Sequence, residues 1–316
     1  MNQSDTLIIG TGIAGLIAAH LRSAKGKVTV VTKGQLKEAN TYWAQGGIAA
    51  VMEKDDSFES HSKDTLKAGA NYSDPKAVKF LVENAAKAVR LLQELGVKFE
   101  KTPALEAGHS KARVWHTSDF TGRDILNALI KAVKKNREIE VLEETEAVEL
   151  IVHNNQCRGI FIRRKEDKEV TPLLANHTIL ATGGLGQLFG RTTNTLGSGG
   201  DGIAMAVNAG LEPKDLEFMQ FHPTAFAKPD GGRYFLLSET LRGFGAKILN
   251  HKGAQFLTQF HTDGELAPRD IVSRAVFFEL MNGPVYLSMS HLNAGDIRQH
   301  YTNIVKRIKS YGYDLT

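Results

Sequence analysis

Short apolar runs and amphipathic stretches alternate along the first part of the chain. The runs Thr6–Ile9 and Val28–Thr32 predict buried strands, and Leu16–Leu21 between them predicts a helix. A further apolar run, Thr178–Thr182, predicts another buried strand that ends in glycines. Because strands that alternate with helices normally pair in parallel, this pattern predicts an α/β fold built on a parallel sheet.

Two longer helices are predicted from apolar residues at helical spacing. One begins at Pro75, where Asp74 can cap it, and stops at Gly96; the other runs from about Arg123 to Lys135. The pattern then changes to short strands at 141–143, 147–152, 158–164 and 169–174. These strands, separated by turns, predict a meander inserted into the parallel sheet.

The second half of the chain carries shorter signals. They predict a helix at Ile203–Ala209, a strand at Leu216–Phe221 and a helix from Pro268 to about Met281. From about Arg233, glycine turns and short apolar pieces replace the long runs. This change predicts a second, smaller α+β domain.

The junction between the first strand and its helix has the sequence Gly-x-Gly-x-x-Gly. Gly10 permits a tight turn, Gly12 lets a pyrophosphate approach the backbone, and Gly15 lets helix and strand pack closely. The helix that follows offers free N–H groups and the positive end of its dipole to phosphates. Because the motif follows a strand and opens a helix, it predicts dinucleotide binding; the alternative is an ordinary glycine-rich turn.

Other segments bear on which dinucleotide would bind. The second strand ends in Thr32–Gly34 with no acidic residue, which disfavours a plain NAD dehydrogenase. Lys33 would contact an adenosine or phosphate group, or be solvated. The segment Asn40–Ala50 suits a loop against a flat ring system, and equally a simple turn. Asp201 lies near the end of the glycine-rich loop Gly197–Gly202, at the start of the following helix. At this position, capping of the helix is favoured over contact with a ribose or ribitol hydroxyl.

Composition narrows the class of protein without locating a site. The 316 residues carry 39 Lys+Arg and 35 Asp+Glu, and these charges are scattered. Without a dense basic tract, nucleic acid is a poor candidate partner. The single cysteine, Cys157, excludes an internal disulfide and a Cys-based metal site, so we predict no metal and a cytoplasmic location. Neither a membrane span nor a signal peptide is expected from the hydropathy pattern.

Titratable residues outside the glycine-rich loops are candidates for a substrate site. His222 follows the strand predicted at 216–221, and Arg242 and Arg269 lie beside turns or helix starts. A polar stretch between two predicted helices contains Glu106, His109, Lys111, Arg113 and His116. Arginines capture carboxylates, and a neighbouring histidine suits a small dicarboxylate or proton transfer. The alternatives are a structural histidine and surface arginines. The residues alone therefore indicate an enzyme with a dinucleotide cofactor and an anionic substrate.

A series of ordered motifs adds a family resemblance. The motifs are Gly10–Gly15, Thr41–Ala50, His116–Arg123, Ala181–Gly184, Ser198–Gly202, Gln220–Thr224 and Glu265–Asp270. Together they resemble the succinate dehydrogenase/fumarate reductase flavoprotein superfamily over essentially the whole chain. The resemblance implies a Rossmann-like FAD-binding domain at residues 1–230, with the parallel sheet and inserted β-meander, and a smaller α+β capping domain at residues 231–316.

Two positions resemble the branch of this superfamily that oxidises L-aspartate. Respiratory members attach FAD through a histidine before the Thr-x-x-Ala-Gln-Gly-Gly motif, and Asn40 at that position implies noncovalent FAD. Glu106 matches a glutamate that reads the substrate amino group, since a carboxylate suits an ammonium and repels a plain dicarboxylate. His222 and Arg269 match residues that hold the substrate carboxylates, and Arg269 also matches an arginine assigned to proton transfer.

The same match implies the cofactor contacts and the reaction. The residues expected to line FAD are Gly10, Thr11, Gly12, Ile13, Ala14, Gly15, Lys33, Asn40, Thr41, Tyr42, Trp43, Ala44, Gln45, Gly46, Gly47, Glu146, Ala147 and Asp201. L-Aspartate would pass a hydride to FAD and become iminoaspartate, and dioxygen or fumarate would accept the electrons. Iminoaspartate would go on to quinolinate synthase in NAD biosynthesis.

Members of this superfamily continue well beyond the last residue of this chain. The further part carries another substrate histidine and arginine, the last flavin-binding stretch and a helical domain. The chain therefore resembles a truncated member, with weak FAD retention and little turnover expected. The alternatives are a soluble fumarate reductase and a non-catalytic flavin-binding module, and dependence on Glu106 separates the oxidase from the reductase.

Overall fold

A computed structural model describes residues 3–106, 108–117, 120–166 and 169–316. The strands are β1 Gln3–Ile9, β2 Val28–Val31, β3 Ile48–Ala49, β4 Val114–Trp115, β5 Ile139–Leu142, β6 Thr145–His153, β7 Gln156–Arg164, β8 Val170–Leu180, β9 Ala225–Asp230, β10 Arg233–Leu236, β11 Lys247–Leu249 and β12 Tyr286–Ser288. The α-helices are α1 Ile13–Arg22, α2 Asn40–Trp43, α3 Phe58–Ala68, α4 Pro75–Glu94, α5 Thr121–Lys135, α6 Asp201–Asn208, α7 Glu239–Gly243, α8 Arg269–Leu280, α9 Ala294–His300 and α10 Thr302–Ser310. Within these described ranges, every helix is too short or too polar to cross a membrane.

The largest sheet has the strand order β5-β2-β1-β8-β7-β6. Strands β5, β2, β1 and β8 pair in parallel, and β7 and β6 continue the sheet antiparallel. All residues of β2 are buried, as expected for an inner strand of a parallel sheet covered on both faces. The predicted α/β fold, with a parallel sheet and an attached meander, is confirmed.

Strand β8 joins the two halves of this sheet. The sequence predicts separate strands at 169–174 and 178–182, but the structure has one continuous strand. Its first half pairs with β7 and its second half with β1, and Leu174 pairs with both neighbours. The polar, exposed residues Asn176 and His177 interrupt the apolar pattern. Backbone pairing with β1 nevertheless keeps this stretch extended.

The strand predicted at Leu216–Phe221 is wrong. The structure has no strand there, and Leu216, Phe218 and Phe221 are exposed. An apolar run becomes a buried strand only where other elements cover it, and these side chains lie at the surface.

Helix predictions hold where capping signals are clear. The Asp74 carboxylate accepts a hydrogen bond from the Lys76 amide at 2.8 Å, and Pro75 occupies the first turn of α4. The apolar stripe of α4 is buried at Val82 and Val89. The helix expected after Pro268 is α8.

The chain divides into two compact units. The sheet unit contains residues 1–44, 122–219 and 228–234, and the second unit contains residues 45–121, 220–227 and 235–316. Leu7, Val31 and Ile160 belong to the core of the sheet unit. A core of the second unit forms around Ile248 and Val272. The domain division predicted at residue 230 stays a prediction.

Candidate functional site

The glycine motif lies at the carboxyl end of β1. Gly10 has φ +112°, and a Cβ added there would lie 2.2 Å from the Ala181 carbonyl oxygen. A Cβ on Gly15 would lie 2.0 Å from the Gly10 carbonyl oxygen. At Gly12, in contrast, the nearest atom to an added Cβ is Thr41 Oγ1, at 3.5 Å. Gly10 and Gly15 are therefore required by the fold, whereas Gly12 leaves space for a ligand.

Helix α1 begins directly after this space. Gly12 caps it without a side-chain hydrogen bond, and its first turn contains no acidic residue. The Ile13 amide donates to Thr41 Oγ1 at 3.0 Å. Added Cβ atoms on Gly183 and Gly184, which follow the parallel strand β8, would meet nothing within 4 Å. Open backbone at the carboxyl ends of adjacent parallel strands is where α/β sheets bind ligands.

Lys33 and Asp201 come together in the sheet unit. The Lys33 ammonium donates to the Asp201 carboxylate, and both side chains are partly exposed. The expectation that Asp201 caps α6 is wrong: the N-cap is Gly200, at φ +85°, and it carries no side-chain cap. The nearby ammonium instead draws the carboxylate away from the helix N–H groups.

Asn40 is held by a loop of the sheet unit. Its Nδ2 donates to Ser198 Oγ at 2.7 Å and to Asn194 Oδ1 at 3.1 Å. Its Oδ1 accepts from the Thr195 amide at 2.8 Å. A side-chain amide engaged as both donor and acceptor is a positioning group and not a nucleophile.

Aromatic and charged contacts surround the neighbouring predicted residues. The Arg233 guanidinium carbon lies 3.3 Å from the centre of the Trp43 ring, and Tyr42 meets Trp43 edge to face at 5.2 Å. On β6, Glu146 accepts from Arg163 Nη2 at 2.5 Å. Ala147 packs against the core of the sheet unit.

Gln45 is buried in the second unit with one polar atom unpaired. Its Nε2 donates to the Leu236 carbonyl oxygen at 2.7 Å. Its Oε1 is buried and has no partner among the described residues. A Cβ on Gly47 would lie 2.4 Å from the Trp115 carbonyl oxygen, whereas one on Gly46 would meet nothing within 4 Å. This segment therefore combines a tightly packed glycine with an acceptor that a ligand donor could satisfy.

A cluster of charged side chains forms where two helices of the second unit begin. Glu239 starts α7, and its carboxylate accepts from Arg242 Nη2 at 2.9 Å and from Arg269 Nε. Arg269 starts α8, and its Nη1 donates to Gln220 Oε1 at 3.1 Å. Arg242 is fully buried and also donates to the Glu265 carbonyl oxygen. A carboxylate shared by two guanidiniums leaves a net positive charge for an anionic ligand.

His222 is neutral at physiological pH in this cluster. Burial, with the positive charge of Arg269 as the next cause, lowers the pKa of His222 to about 4. Its Nδ1 lies 2.9 Å from the Thr224 carbonyl oxygen and 3.3 Å from the Thr224 amide nitrogen. The shorter contact is a hydrogen bond from Nδ1–H to the Thr224 carbonyl oxygen, and the neutral ring therefore presents Nε2 as an acceptor.

The charge state of Glu106 depends on the same cluster. Burial and the negative charge of Glu239 raise the pKa of Glu106, and the positive charge of Arg269 opposes this rise. Glu106, His222 and Arg269 therefore act on one electrostatic environment within the second unit. An ammonium bound there would favour the ionised form of Glu106.

A pH titration can test the state of His222. We expect its imidazole to titrate near pH 4, and to be neutral at pH 7. Between pH 6.5 and about 4 the unfolded chain binds a proton that the folded chain does not, so stability falls as the pH falls through this window. Imidazole NMR signals, assigned with His222→Gln, provide the measurement. A midpoint at the ordinary value of 6.5 contradicts the burial of this ring.

Comparison with known protein families identifies the family of this chain. The FAD-binding domain family matches residues 5–314. The chain belongs to this FAD-binding family. FAD is accordingly the cofactor of this fold.

Individual relatives of this FAD-binding chain share one name. The chain is 42% identical to an L-aspartate oxidase from Synechocystis sp., and the alignment covers 99% of the chain and 59% of that relative. It is 41% identical to an L-aspartate oxidase from Yersinia pestis, over 99% of the chain and 62% of that relative. The chain thus spans about three fifths of the length of these curated relatives.

Solved structures give the same fold. A quinol-fumarate reductase with menaquinol molecules matches 99% of the chain and 59% of its own chain, with a TM-score of 0.92 and 28% identity. A mutated quinol fumarate reductase from E. coli matches 100% of the chain and 58% of its own, with a TM-score of 0.89 and 27% identity. The chain is therefore similar to flavoproteins of the succinate dehydrogenase/fumarate reductase group.

The residues present fit the FAD that this family binds. Gly12, Gly183 and Gly184 leave a cradle that Cβ atoms would fill, beside the uncapped start of α1. The space at Gly12 and the positive dipole end of α1 suit a pyrophosphate.

Substitutions at two glycines separate FAD binding from folding. Gly12 has φ −68° and room for a methyl group, so Gly12→Ala should fold normally and weaken FAD binding about tenfold. Gly10→Ala should instead destabilise the fold by roughly 1–3 kcal/mol, because of its φ and its backbone contact. FAD fluorescence titration and urea unfolding measure the two effects. Equal losses of stability in both variants contradict the assignment of Gly12 to the ligand.

The predicted site residues fall into both units. Those in the sheet unit are Gly10, Thr11, Gly12, Ile13, Ala14, Gly15, Lys33, Asn40, Thr41, Tyr42, Trp43, Ala44, Glu146, Ala147 and Asp201, and those in the second unit are Gln45, Gly46, Gly47, Glu106, His222 and Arg269. Their roles stay predictions. Within the described ranges, His, Cys, Asp and Glu form no group of three that could hold a metal ion.

Sequence reasoning did not assign two residues of the charged cluster. Glu239 joins Arg242 to Arg269, and Gln220 accepts from Arg269. The spacing of Glu239 and Arg242, three residues apart on a helix, was an available signal for an ion pair. The link to Arg269, thirty residues away, required the fold.

Proposed function

We propose that the protein to which this chain belongs oxidises L-aspartate to iminoaspartate with FAD. The observation that carries the proposal is the cluster at Arg269, which donates to Glu239 and Gln220 and whose positive charge opposes the raised pKa of Glu106. A site with guanidinium donors and a carboxylate is complementary to a zwitterion with two carboxylates and one ammonium. The names of the relatives support the same substrate.

Each residue has a distinct part in this proposal. Arg269 binds a substrate carboxylate through its guanidinium, and neutral His222, fixed by Thr224, presents Nε2 to the substrate as a hydrogen-bond acceptor. Glu106 pairs with the ammonium, and its raised pKa suits it to take the proton that the amino group loses on oxidation. Glu239 accepts a hydrogen bond from Arg269 Nε and so holds the guanidinium in place. FAD, when bound, supplies the hydride acceptor for the substrate α-carbon.

The same proposal covers the cofactor attachment and the partners. Asn40, engaged with Ser198 and Thr195, supports noncovalent FAD. Dioxygen or fumarate would accept the electrons, and quinolinate synthase would receive iminoaspartate as the next step of NAD biosynthesis. The cytoplasmic location, expected from the single cysteine, belongs to the proposal as well.

An anaerobic titration tests the function directly. The purified chain is loaded with FAD, and its visible spectrum is followed as L-aspartate or succinate is added. Bleaching by L-aspartate and not by succinate supports the oxidase. Bound flavin that neither substrate bleaches would favour a flavin-binding module without catalysis, and absence of FAD binding would contradict the assignment of the glycine cradle.

Glu106→Gln separates the oxidase from a fumarate reductase, the second candidate suggested by the TM-score of 0.92. Removing this charge should weaken L-aspartate binding about tenfold or more, because an ion pair with the ammonium is lost. The affinity for succinate should stay the same or increase, because the substitution removes the repulsion between Glu106 and the carboxylates of succinate. Dissociation constants from titration calorimetry give both values. Equal affinities of Glu106→Gln and the unmodified chain for L-aspartate would favour the reductase.

The pH dependence of L-aspartate binding follows from the raised pKa of Glu106. Only the ionised carboxylate pairs with the ammonium, so affinity should fall as the pH falls through that raised pKa. Glu106→Gln should lack this step.

A further inference from the structure

A buried ion cluster lies next to the Glu106 segment in the second unit. Arg113 is fully buried and donates from Nε and Nη2 to the two oxygens of Asp56, at 2.8 and 2.7 Å. Its Nη1 donates to Asp64 Oδ2 at 2.5 Å. We call Arg113, Asp56 and Asp64 the Arg113 cluster. Paired charges with this geometry fix the side chains that they join.

One oxygen of the cluster also holds the backbone of the neighbouring segment. Asp64 Oδ2 accepts from the Ser110 amide at 2.7 Å and from Ser110 Oγ at 2.8 Å. Asp64 belongs to α3, whose first turn is capped by Ser57. Ser110 Oγ also lies 3.0 Å from Ser60 Oγ of the same helix, so Ser110 is attached to α3 through the Asp64 carboxylate and the Ser60 hydroxyl.

Other hydrogen bonds hold described residues of the segment 104–114, among them one from the Ala50 amide to the Arg113 carbonyl oxygen at 2.9 Å. Ala104 and Val114 close it with two backbone hydrogen bonds of 2.9 and 3.1 Å. Inside it, the His109 amide donates to the Glu106 carbonyl oxygen at 3.2 Å. Glu106 is thus hydrogen-bonded to His109, and the next residue, Ser110, is tied to Asp64.

The ring of His109 lies next to the Arg113 cluster. Its Nδ1 lies 3.4 Å from Arg113 Nη1, and its ring centre lies 5.9 Å from that of His61. Burial and the charge of Arg113 lower the pKa of both histidines, so both rings are neutral. The negative charge of Glu239 opposes this lowering of the pKa of His109. The Asp64–Ser110 contact and the proposed substrate site both belong to the second unit.

We propose that Asp64 is a positioning residue that determines specificity for an amino dicarboxylate, because it fixes the segment that presents Glu106 to the substrate ammonium. This inference rests on the proposed function. Asp64 does not touch the substrate; it acts through Ser110 and the hydrogen bond between His109 and Glu106.

Two probes distinguish recognition of the ammonium from general binding. 2-Methylaspartate carries the ammonium but has no α-hydrogen, so it binds without being oxidised. 2,2-Dimethylsuccinate has nearly the same shape, with a methyl group in place of the ammonium. Their dissociation constants for the FAD-loaded chain, measured by titration calorimetry, report specificity without turnover.

The decisive variant is Asp64→Ala. It removes both hydrogen bonds between Ser110 and Asp64 but leaves the Ser60 contact of Ser110 and both bonds between Arg113 and Asp56. We expect a loss of about tenfold in affinity for 2-methylaspartate and less than twofold for 2,2-dimethylsuccinate. Asp64→Asn keeps an oxygen that can accept from Ser110 and should restore most of the affinity. If Asp64→Ala does not fold, Ser110→Ala removes the hydroxyl contacts with Asp64 and Ser60 but keeps the backbone hydrogen bond to Asp64, and it should give about a threefold loss.

A matched control is Asp55→Ala. Asp55 pairs with Lys111 of the same segment at 3.2 Å, but its side chain is 75% exposed. This variant should leave both affinities unchanged. Equal losses for the two probes in Asp64→Ala, or no loss for either, would overturn the proposal, since the cluster would then serve stability alone.

A double variant shows whether Asp64 acts through Glu106. In Glu106→Gln, adding Asp64→Ala should cause no further loss of 2-methylaspartate affinity, because the group that Asp64 positions is already neutral. Additive losses would assign Asp64 a separate role and contradict the proposal. Failure of the proposed function looks different: the unmodified chain would then show no preference for 2-methylaspartate over 2,2-dimethylsuccinate.

Discussion

Arg269→Met should lower the rate of flavin reduction by L-aspartate by roughly a thousandfold. The substitution removes a carboxylate anchor and also leaves Glu239 with only Arg242 as its partner. The site then loses the positive charge that attracts a dicarboxylate. Stopped-flow absorbance under anaerobic conditions gives the rate, and titration calorimetry with succinate gives the accompanying loss of affinity.

The control for this substitution lies on the same helix. Arg274 pairs with Asp270 at 2.8 Å, and both side chains are more than half exposed. Arg274→Met should therefore leave the rate within about twofold of the unmodified chain. A comparable loss in both variants would show that α8, and not the Arg269 guanidinium, limits the reaction.

Arg113→Met should destabilise the second unit by about 3–5 kcal/mol. Asp56 is 1% exposed and Asp64 is 14% exposed, so removing the guanidinium leaves two carboxylates without their buried cation. The hydrogen bond from Arg113 lowers the pKa of Asp56 below the ordinary 3.8. The stability that this interaction contributes is present above pH 3.8 and is lost as the pH falls through the lowered pKa of Asp56.

Tryptophan fluorescence can report this loss for the second unit alone. The chain has two tryptophans, and Trp115 lies in the second unit, where it donates to the Ala50 carbonyl oxygen at 3.1 Å. Urea unfolding in a Trp43→Phe background therefore follows that unit. Lys111→Met, which breaks an exposed pair with Asp55, should cost under about 1 kcal/mol. Similar costs for the two substitutions would mean that Arg113 adds little beyond a surface pair.

The sequence predicts best where the cause is local. The strand, glycine turn and helix around Gly10–Gly15 depend on neighbouring residues, and the structure has them as predicted. The capping of α4 by Asp74 is equally local. The FAD-binding fold follows from such short-range signals and from the ordered motifs.

Contacts between distant residues could not be predicted from local patterns. Asp201 at a helix start favours a cap, yet Lys33, far away along the chain, pairs with it. Glu239 meets Arg269 only after the second unit has formed. The exposed run Leu216–Phe221 shows the reverse case, since an apolar pattern says nothing about whether another element covers it.

The continuity of β8 limits where related chains can vary in length. Leu174 pairs with β7 and with β1, so one inserted residue between Leu174 and Leu180 would shift the register against β1 and reverse the faces of the side chains. Asn154 and Asn155, both at positive φ, form the tip of the β6–β7 hairpin and carry no such constraint. Insertions and deletions should therefore accumulate at this tip during evolution and be excluded from the second half of β8.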